Sequence, residues 1–140
     1  MKKVLIDINV IMDVAVKREG FRSSQKVINY CIKKMLEGYV CSHEITTLSY
    51  LLQRKYNRKK ASEFIEKILD MFLVLPATGK ILKSALNSPI NDYEDAVIEV
   101  TGLKNDIDYI ITRNINDFHD SRIVSLSPEE FLTRLKFEEQ

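Results

Sequence analysis

Apolar residues come in two kinds of run along this chain: short continuous blocks, and longer stretches with helical spacing. The blocks are Val4-Leu5-Ile6, Tyr39-Val40-Cys41, Leu73-Val74-Leu75, residues 108–112 and Ile123-Val124-Ser125-Leu126. They are short and lack polar alternation, the pattern of strands buried on both faces. Between them, apolar side chains recur three and four positions apart, which predicts helices. A short one covers 10–16, with Asn9 as turn or cap. Ser23 or Ser24 caps a second that runs to about residue 37, with Val27, Ile28, Cys31, Met35 and Leu36 on its apolar side and Gly38 as its stop. A third, 43–56, places Ile45, Leu48, Leu51 and Leu52 on one face, and Asn57 ends it. A fourth, 60–72, turns Phe64, Ile65, Ile68, Leu69 and Phe72 inward. A fifth, 80–87, is closed by Pro89, and a sixth carries Asp92 and Asp95 at its start. Ser127-Pro128-Glu129-Glu130 opens the last, with a capping serine, a proline in the first turn and Glu130 at the capping-box position.

Strands alternating with helices predict an α/β fold: a three-layer α/β/α sandwich around a central, mainly parallel sheet of about five strands. At 140 residues the chain reads most simply as one domain, 1–140. Apolar and charged fractions of 45% and 29% are ordinary for a soluble protein, and no apolar window approaches the ~20 residues of a membrane span. Asp7 and Asp13 interrupt the apolar N-terminus, and no small-residue cleavage site follows, so it does not read as a signal peptide. A cytoplasmic protein is expected. Cys31, Cys41 and His43 match no common zinc spacing and read as free thiols beside a histidine. The formal net charge of +1 gives no global field for nucleic acid, which leaves local patches to decide. Four widely spaced glycines exclude a phosphate-binding loop of the P-loop kind.

Candidate chemistry follows from the sheet. Parallel strands end on one edge, where open α/β folds place their sites. Asp7 ends the first strand, Asp117 follows the fourth by a few residues, and Asp92 and Asp95 lie one helical turn apart. Asp13 and Glu99 read as surface groups. Asp92 also fits a helix cap, and Asp117 a turn with Asn114 and Asn116. Carboxylates gathered without a cation repel, and some would have to take up protons. A hard divalent ion, Mg²⁺ or Mn²⁺, removes that conflict, and phosphoryl transfer is the chemistry such sites usually serve.

Three segments carry a resemblance. Val4-Leu5-Ile6-Asp7-Ile8-Asn9-Val10, Asp92-Tyr93-Glu94-Asp95-Ala96 and Ile111-Thr112-Arg113-Asn114-Ile115-Asn116-Asp117-Phe118 resemble, in order and separation, the signatures of PIN domains. So does the tail Ser127-Pro128-Glu129-Glu130-Phe131-Leu132, and the toxin branch that includes VapC-like members of toxin–antitoxin pairs is the most similar. The resemblance implies a metal-dependent endoribonuclease that cleaves single-stranded RNA, leaving a 5′-phosphate and a 3′-hydroxyl. It implies Asp7, Asp95 and Asp117 as catalytic residues, the same three with Asp92 around Mg²⁺ or Mn²⁺, and Asn9, Thr112 and Asn114 in support. It further implies a protein antitoxin, and it is compatible with a homodimer. Most of the family carries another acid at the position that matches Thr47; Glu44, nearly one turn earlier, is the candidate substitute. For RNA contact the expectations are Arg113 and the basic run 54–60, with Arg54, Lys55 and Arg58 tracking the backbone and Tyr56 free for base stacking. The same run also reads as a solvated turn. The rival reading is a catalytically inactive PIN-like module that binds RNA or protein. A haloacid-dehalogenase-like phosphatase would need an acid where Asn9 stands, and a receiver domain a lysine that residues 110–113 do not offer.

Overall fold

β1 (Lys3–Ile6) is the middle strand of a five-stranded sheet in the computed structural model of the protein, which describes residues 1–138. The strand order is β3-β2-β1-β4-β5, with β2 at Glu37–Cys41, β3 at Leu73–Leu75, β4 at Tyr109–Ile111 and β5 at Val124–Leu126. All four pairings are parallel. Leu5 stands opposite both Tyr39 and Ile110, and Ile6 opposite Ile111. The carboxyl ends of the central strands therefore share one edge, and Asp7, Ser42 and Thr112 follow them there.

Alternation along each strand divides the core in two. Val4, Ile6, Val40 and Ile111 pack against α1 (Ile8–Val16), α2 (Phe21–Ile32), α3 (Ser42–Lys55), α4 (Arg58–Met71) and α7 (Pro128–Glu138). Leu5, Tyr39, Cys41 and Ile110 pack on the opposite face against α5 (Gly79–Ala85) and α6 (Tyr93–Lys104). This is the three-layer sandwich that the alternation of blocks predicts. Cys31 and Cys41 are buried free thiols, as expected. Among the described residues, no helix is long and apolar enough to cross a membrane. The capping box is present in both directions: Glu130 N–H donates to Ser127 Oγ, and Ser127 N–H to Glu130 Oε1, each at 3.1 Å.

Several boundaries differ from expectation. α2 begins at Phe21 and ends at Ile32, and Lys34 turns the chain through a left-handed conformation at φ 60°. Met35 is consequently exposed rather than core. Gly38 is no helix stop but lies inside β2, where a Cβ would stand 2.8 Å from Cys31 Sγ and 2.9 Å from Phe72 Cδ1. Asn57 opens α4 instead of ending α3, because its side chain accepts the Lys60 N–H at 2.8 Å. Leu69, placed inward by periodicity, is 46% exposed, and β3 as an edge strand leaves Leu73 and Val74 open as well.

Candidate active site

Asp7 stands where β1 passes into α1. Its backbone N–H extends the sheet ladder to the Ile111 carbonyl at 3.0 Å. Its Oδ1 accepts the Asn9 N–H at 3.4 Å, so Asp7 is the cap of α1, and Asn9 lies in the first turn rather than at the cap. Oδ2 accepts the Thr112 hydroxyl at 2.7 Å. Thr112 Oγ1 in turn accepts the Asn114 N–H at 3.0 Å, which directs the hydroxyl proton toward Asp7. Burial pushes the Asp7 carboxyl up, against the lowering effect of these hydrogen bonds.

Glu44 enters from the first turn of α3, on the same buried stripe as Leu48 and Leu52. It is 3% exposed, and its Oε1 has no hydrogen-bond partner. Burial first, then the charges of Asp7, Glu94 and Asp95, push this carboxyl well up, with the Ile8 backbone N–H acting in the opposite sense. Asp95 is half-buried in the first turn of α6 and is pushed up to about 7, by burial first and then by Asp92, Asp7, Asp117 and Glu94. Asp92 caps α6 through Oδ1, which accepts the Asp95 N–H at 3.0 Å. Asp92 thus serves as a helix cap, as its position allows, and its charge also bears on Asp95. Asp117 is exposed in the turn after β4, its N–H donating to the Asn114 carbonyl at 3.0 Å.

The expected acids thus border one edge, where their charges act on one another, and beside them lie Glu94 and His43, to which the sequence reading gave no role in the site. His43 Nε2 lies 3.3 Å from the Glu94 carbonyl, which can only accept, so Nε2 carries the proton. Burial lowers the His43 pKa, against the opposing effect of Glu94, and its Nδ1 is buried without a partner. Among the described residues, none of Asp7, Glu44, Asp92, Asp95 and Asp117 is in an ion pair with lysine or arginine. Nor do any three Asp, Glu, His or Cys side chains among the described residues already form a closed chelating set. The acids border an edge, and an ion would have to draw them together. Their donors are all oxygens, and one of them is buried and unsatisfied, which fits a hard divalent cation.

The PIN domain family profile matches residues 3–116. The chain belongs to the PIN domain family. This PIN domain is 27% identical over 139 residues to ribonuclease VapC1 of Aquifex aeolicus strain VF5, covering 95% of each chain. Its fold is similar to that of VapBC2 from Rickettsia felis, solved bound to a DNA fragment from their promoter. There the TM-score is 0.68 and the identity 12%, over 89% of this chain and 97% of the other. A toxin–antitoxin complex from Klebsiella pneumoniae gives a TM-score of 0.67 at 17% identity, over 89% and 97% of the two chains.

Three expectations for the PIN domain are corrected by its geometry. Arg113 is engaged internally: its guanidinium donates to Asp13 Oδ2 and the Gly20 carbonyl, each at 2.8 Å, to Ser24 Oγ at 3.2 Å, and to Glu129. It therefore ties α1, the start of α2 and α7 to the end of β4, and is no free phosphate contact. Asp13 and Glu99 are not surface groups but are buried at 3% and 0% exposure. Asp13 is held by Arg113 and Ser24, and Glu99 by Arg122 and Ser88. Tyr56 is not free to stack, since its hydroxyl donates to the Ala15 carbonyl at 2.7 Å and Lys60 Nζ sits 4.2 Å from its ring centroid. Arg54, Lys55 and Arg58 are exposed; Arg54 and Lys55 lie about 15 Å from Glu44 along α3 at 1.5 Å per residue, and Arg58 opens α4. The aromatic ring open beside them is that of Tyr50, 59% exposed and covered on one side by Arg54.

Proposed function

We propose that this PIN domain is a Mg²⁺- or Mn²⁺-dependent endoribonuclease that cleaves single-stranded RNA as the toxin of a toxin–antitoxin pair. The observation that carries the reading is the edge where Asp7, Glu44, Asp95 and Asp117 act on one another with no basic partner among the described residues. Buried carboxylates without partners are costly, and sites of function are where such cost is tolerated. Asp7, Asp95 and Asp117 would hold the ion, and Asp92 keeps one oxygen for it after capping α6. A divalent ion bound there would acidify a coordinated water and polarise the phosphoryl oxygens.

The chain's own groups supply the rest. Thr112, its proton directed by the Asn114 N–H, holds Asp7 in one orientation, so the carboxylate needs little rearrangement to act. Arg54, Lys55 and Arg58 would follow an RNA backbone leading to the edge, with Tyr50 in the stacking role first expected of Tyr56. Hydrolysis there leaves a 5′-phosphate and a 3′-hydroxyl. The name of the Aquifex relative supports the ribonuclease, and the solved toxin–antitoxin complex supports an antitoxin partner. Such a partner would inhibit by bringing a basic side chain to the acids; RNA, a homodimer and a cytoplasmic setting belong to the same reading.

The test is cleavage of end-labelled single-stranded RNA by purified protein with EDTA, Mg²⁺ or Mn²⁺, beside an Asp95→Asn sample prepared in parallel. Metal-dependent cleavage by the wild type alone supports the reading. Absence of cleavage, together with no thermal stabilisation by saturating Mn²⁺, overturns it in favour of a binding module.

A further inference from the structure

Among the described residues, Glu44 is the one buried carboxylate whose surroundings have no structural explanation. It occupies the core stripe of α3 with Leu48 and Leu52, both fully buried, where an apolar side chain would pack without electrostatic cost. An acid placed only to favour the helix N-terminus could do so from the exposed side of the first turn. The carboxylates of Asp7, Glu94 and Asp95 face Glu44, no arginine or lysine among the described residues pairs with it, and Oε1 makes no hydrogen bond. The buried Glu99 shows how this fold treats an acid it needs for structure: both oxygens are taken, by Arg122 and Ser88. Thr47, the position where the resemblance expects an acid, lies three residues after Glu44 on the same helix and offers at most a hydroxyl.

We infer that Glu44 is itself a ligand of the divalent cation, reaching the acidic edge from one turn earlier in α3 and taking the place that Thr47 cannot fill. The inference rests on the metal-dependent nuclease reading, and it goes further by moving the helix acid of the site to a different position. Its oxygen with no partner is buried where the charges of Asp7 and Asp95, the residues that reading already assigns to the ion, act on it. A cation there satisfies Oε1 and cancels the repulsion among the three carboxylates at once.

Mn²⁺ binding to the purified protein, followed by electron paramagnetic resonance of the free ion and by calorimetry, tests this without reference to cleavage. Glu44→Gln keeps the shape and leaves an amide oxygen to accept the Ile8 N–H, so only the charge is lost. The expected result is a Mn²⁺ dissociation constant at least tenfold higher than wild type, with a metal-free melting temperature equal to or above wild type. Dissociation constants within twofold of each other, while Asp95→Asn binds poorly, would remove Glu44 from the site and leave the nuclease reading standing. A wild-type protein that binds no Mn²⁺ overturns both. If the Gln variant does not fold, Glu44→Asp answers the same question. It keeps the charge but withdraws it by one methylene, so several-fold weaker Mn²⁺ binding supports the assignment and unchanged binding overturns it.

Discussion

Four carboxylates in this PIN domain are buried to nearly the same degree, and they fall into two pairs with opposite fates. Asp13 and Glu99, at 3% and 0% exposure, are enclosed by donors. Asp13 accepts from Ser24 at 2.9 Å and from Arg113 at 2.8 Å, and Arg18 lies 3.7 Å away. Glu99 accepts from the Arg122 backbone N–H and guanidinium, each at 2.7 Å, and from Ser88 at 2.8 Å. Asp7 and Glu44, at 2% and 3%, pair with no lysine or arginine among the described residues, and the charges of further acids act on them instead. Burial by itself pushes the Glu99 carboxyl up, but the Arg122 and Ser88 hydrogen bonds carry it below the ordinary value. For Glu44 burial and its neighbours act in the same direction, upward. Burial alone therefore does not distinguish a structural acid from a functional one; what stands opposite the carboxylate does.

The contrast breaks most visibly on the structural side. Glu99→Ala leaves Arg122 and Ser88 without their acceptor and opens a cavity beneath α6. Because Arg122 is half-exposed and can turn to water, the loss falls at the low end of what a broken buried pair costs, about 3 kcal/mol in urea unfolding. A loss under about 1 kcal/mol would mean that Glu99 is no structural tie. On the functional side, Thr112→Val keeps the volume and removes the proton that orients Asp7. RNA cleavage is expected to fall by about 10–100-fold, as for other residues that hold a metal ligand, with a much smaller change in stability. Full activity in that variant would show that Asp7 needs no such support.

The smallest effect sharpens the comparison through pH. Asp95 is raised from 3.8 to about 7 in the folded chain, and Asp7 and Glu44 are shifted the same way. Between those values the folded metal-free protein binds a proton that the unfolded chain has released, so its stability falls as pH rises across that window. The melting temperature measured in EDTA should drop by roughly 3–6 °C from pH 5.5 to 8, a shift of the size that about 1 kcal/mol produces in a domain of this length. Asp95→Asn should flatten that slope. Saturating Mn²⁺ should reverse it, because the ion competes with those protons. Glu99 contributes with the opposite sign, since its lowered value gives stability that is present above its unfolded value and lost only as pH falls through its folded one.

Much of this was readable in the amino-acid order. Unbroken apolar blocks such as Val4-Leu5-Ile6 mark strands covered on both faces, and five of them between helical stretches leave a parallel sheet as the simple solution. Parallel strands share a carboxyl edge, so Asp7 at the end of β1 and the loop after β4 that carries Asp117 had to lie on the same side of the sheet once it was parallel. Ser127 and Glu130 close their capping box within four residues, and such local chemistry needs no fold to be predicted. Periodicity was less informative for acids on helices. It could place Glu44 on the stripe of Leu48 and Leu52, but not say that the space opposite held Asp7 and Asp95. Nor could it tell that Asp13 would meet Arg113 a hundred residues later, or that Glu99 would meet Arg122 across the loop that follows β4. Those pairings depend on which side chains from distant segments arrive at one point, and that is settled by the packing of α1, α2, α6 and α7 on the sheet. Local sequence determined the elements and the edge that the acids border; the tertiary structure decided which buried acids meet a cationic partner and which do not, because a buried charge is governed by its neighbours in space rather than by its neighbours in the chain.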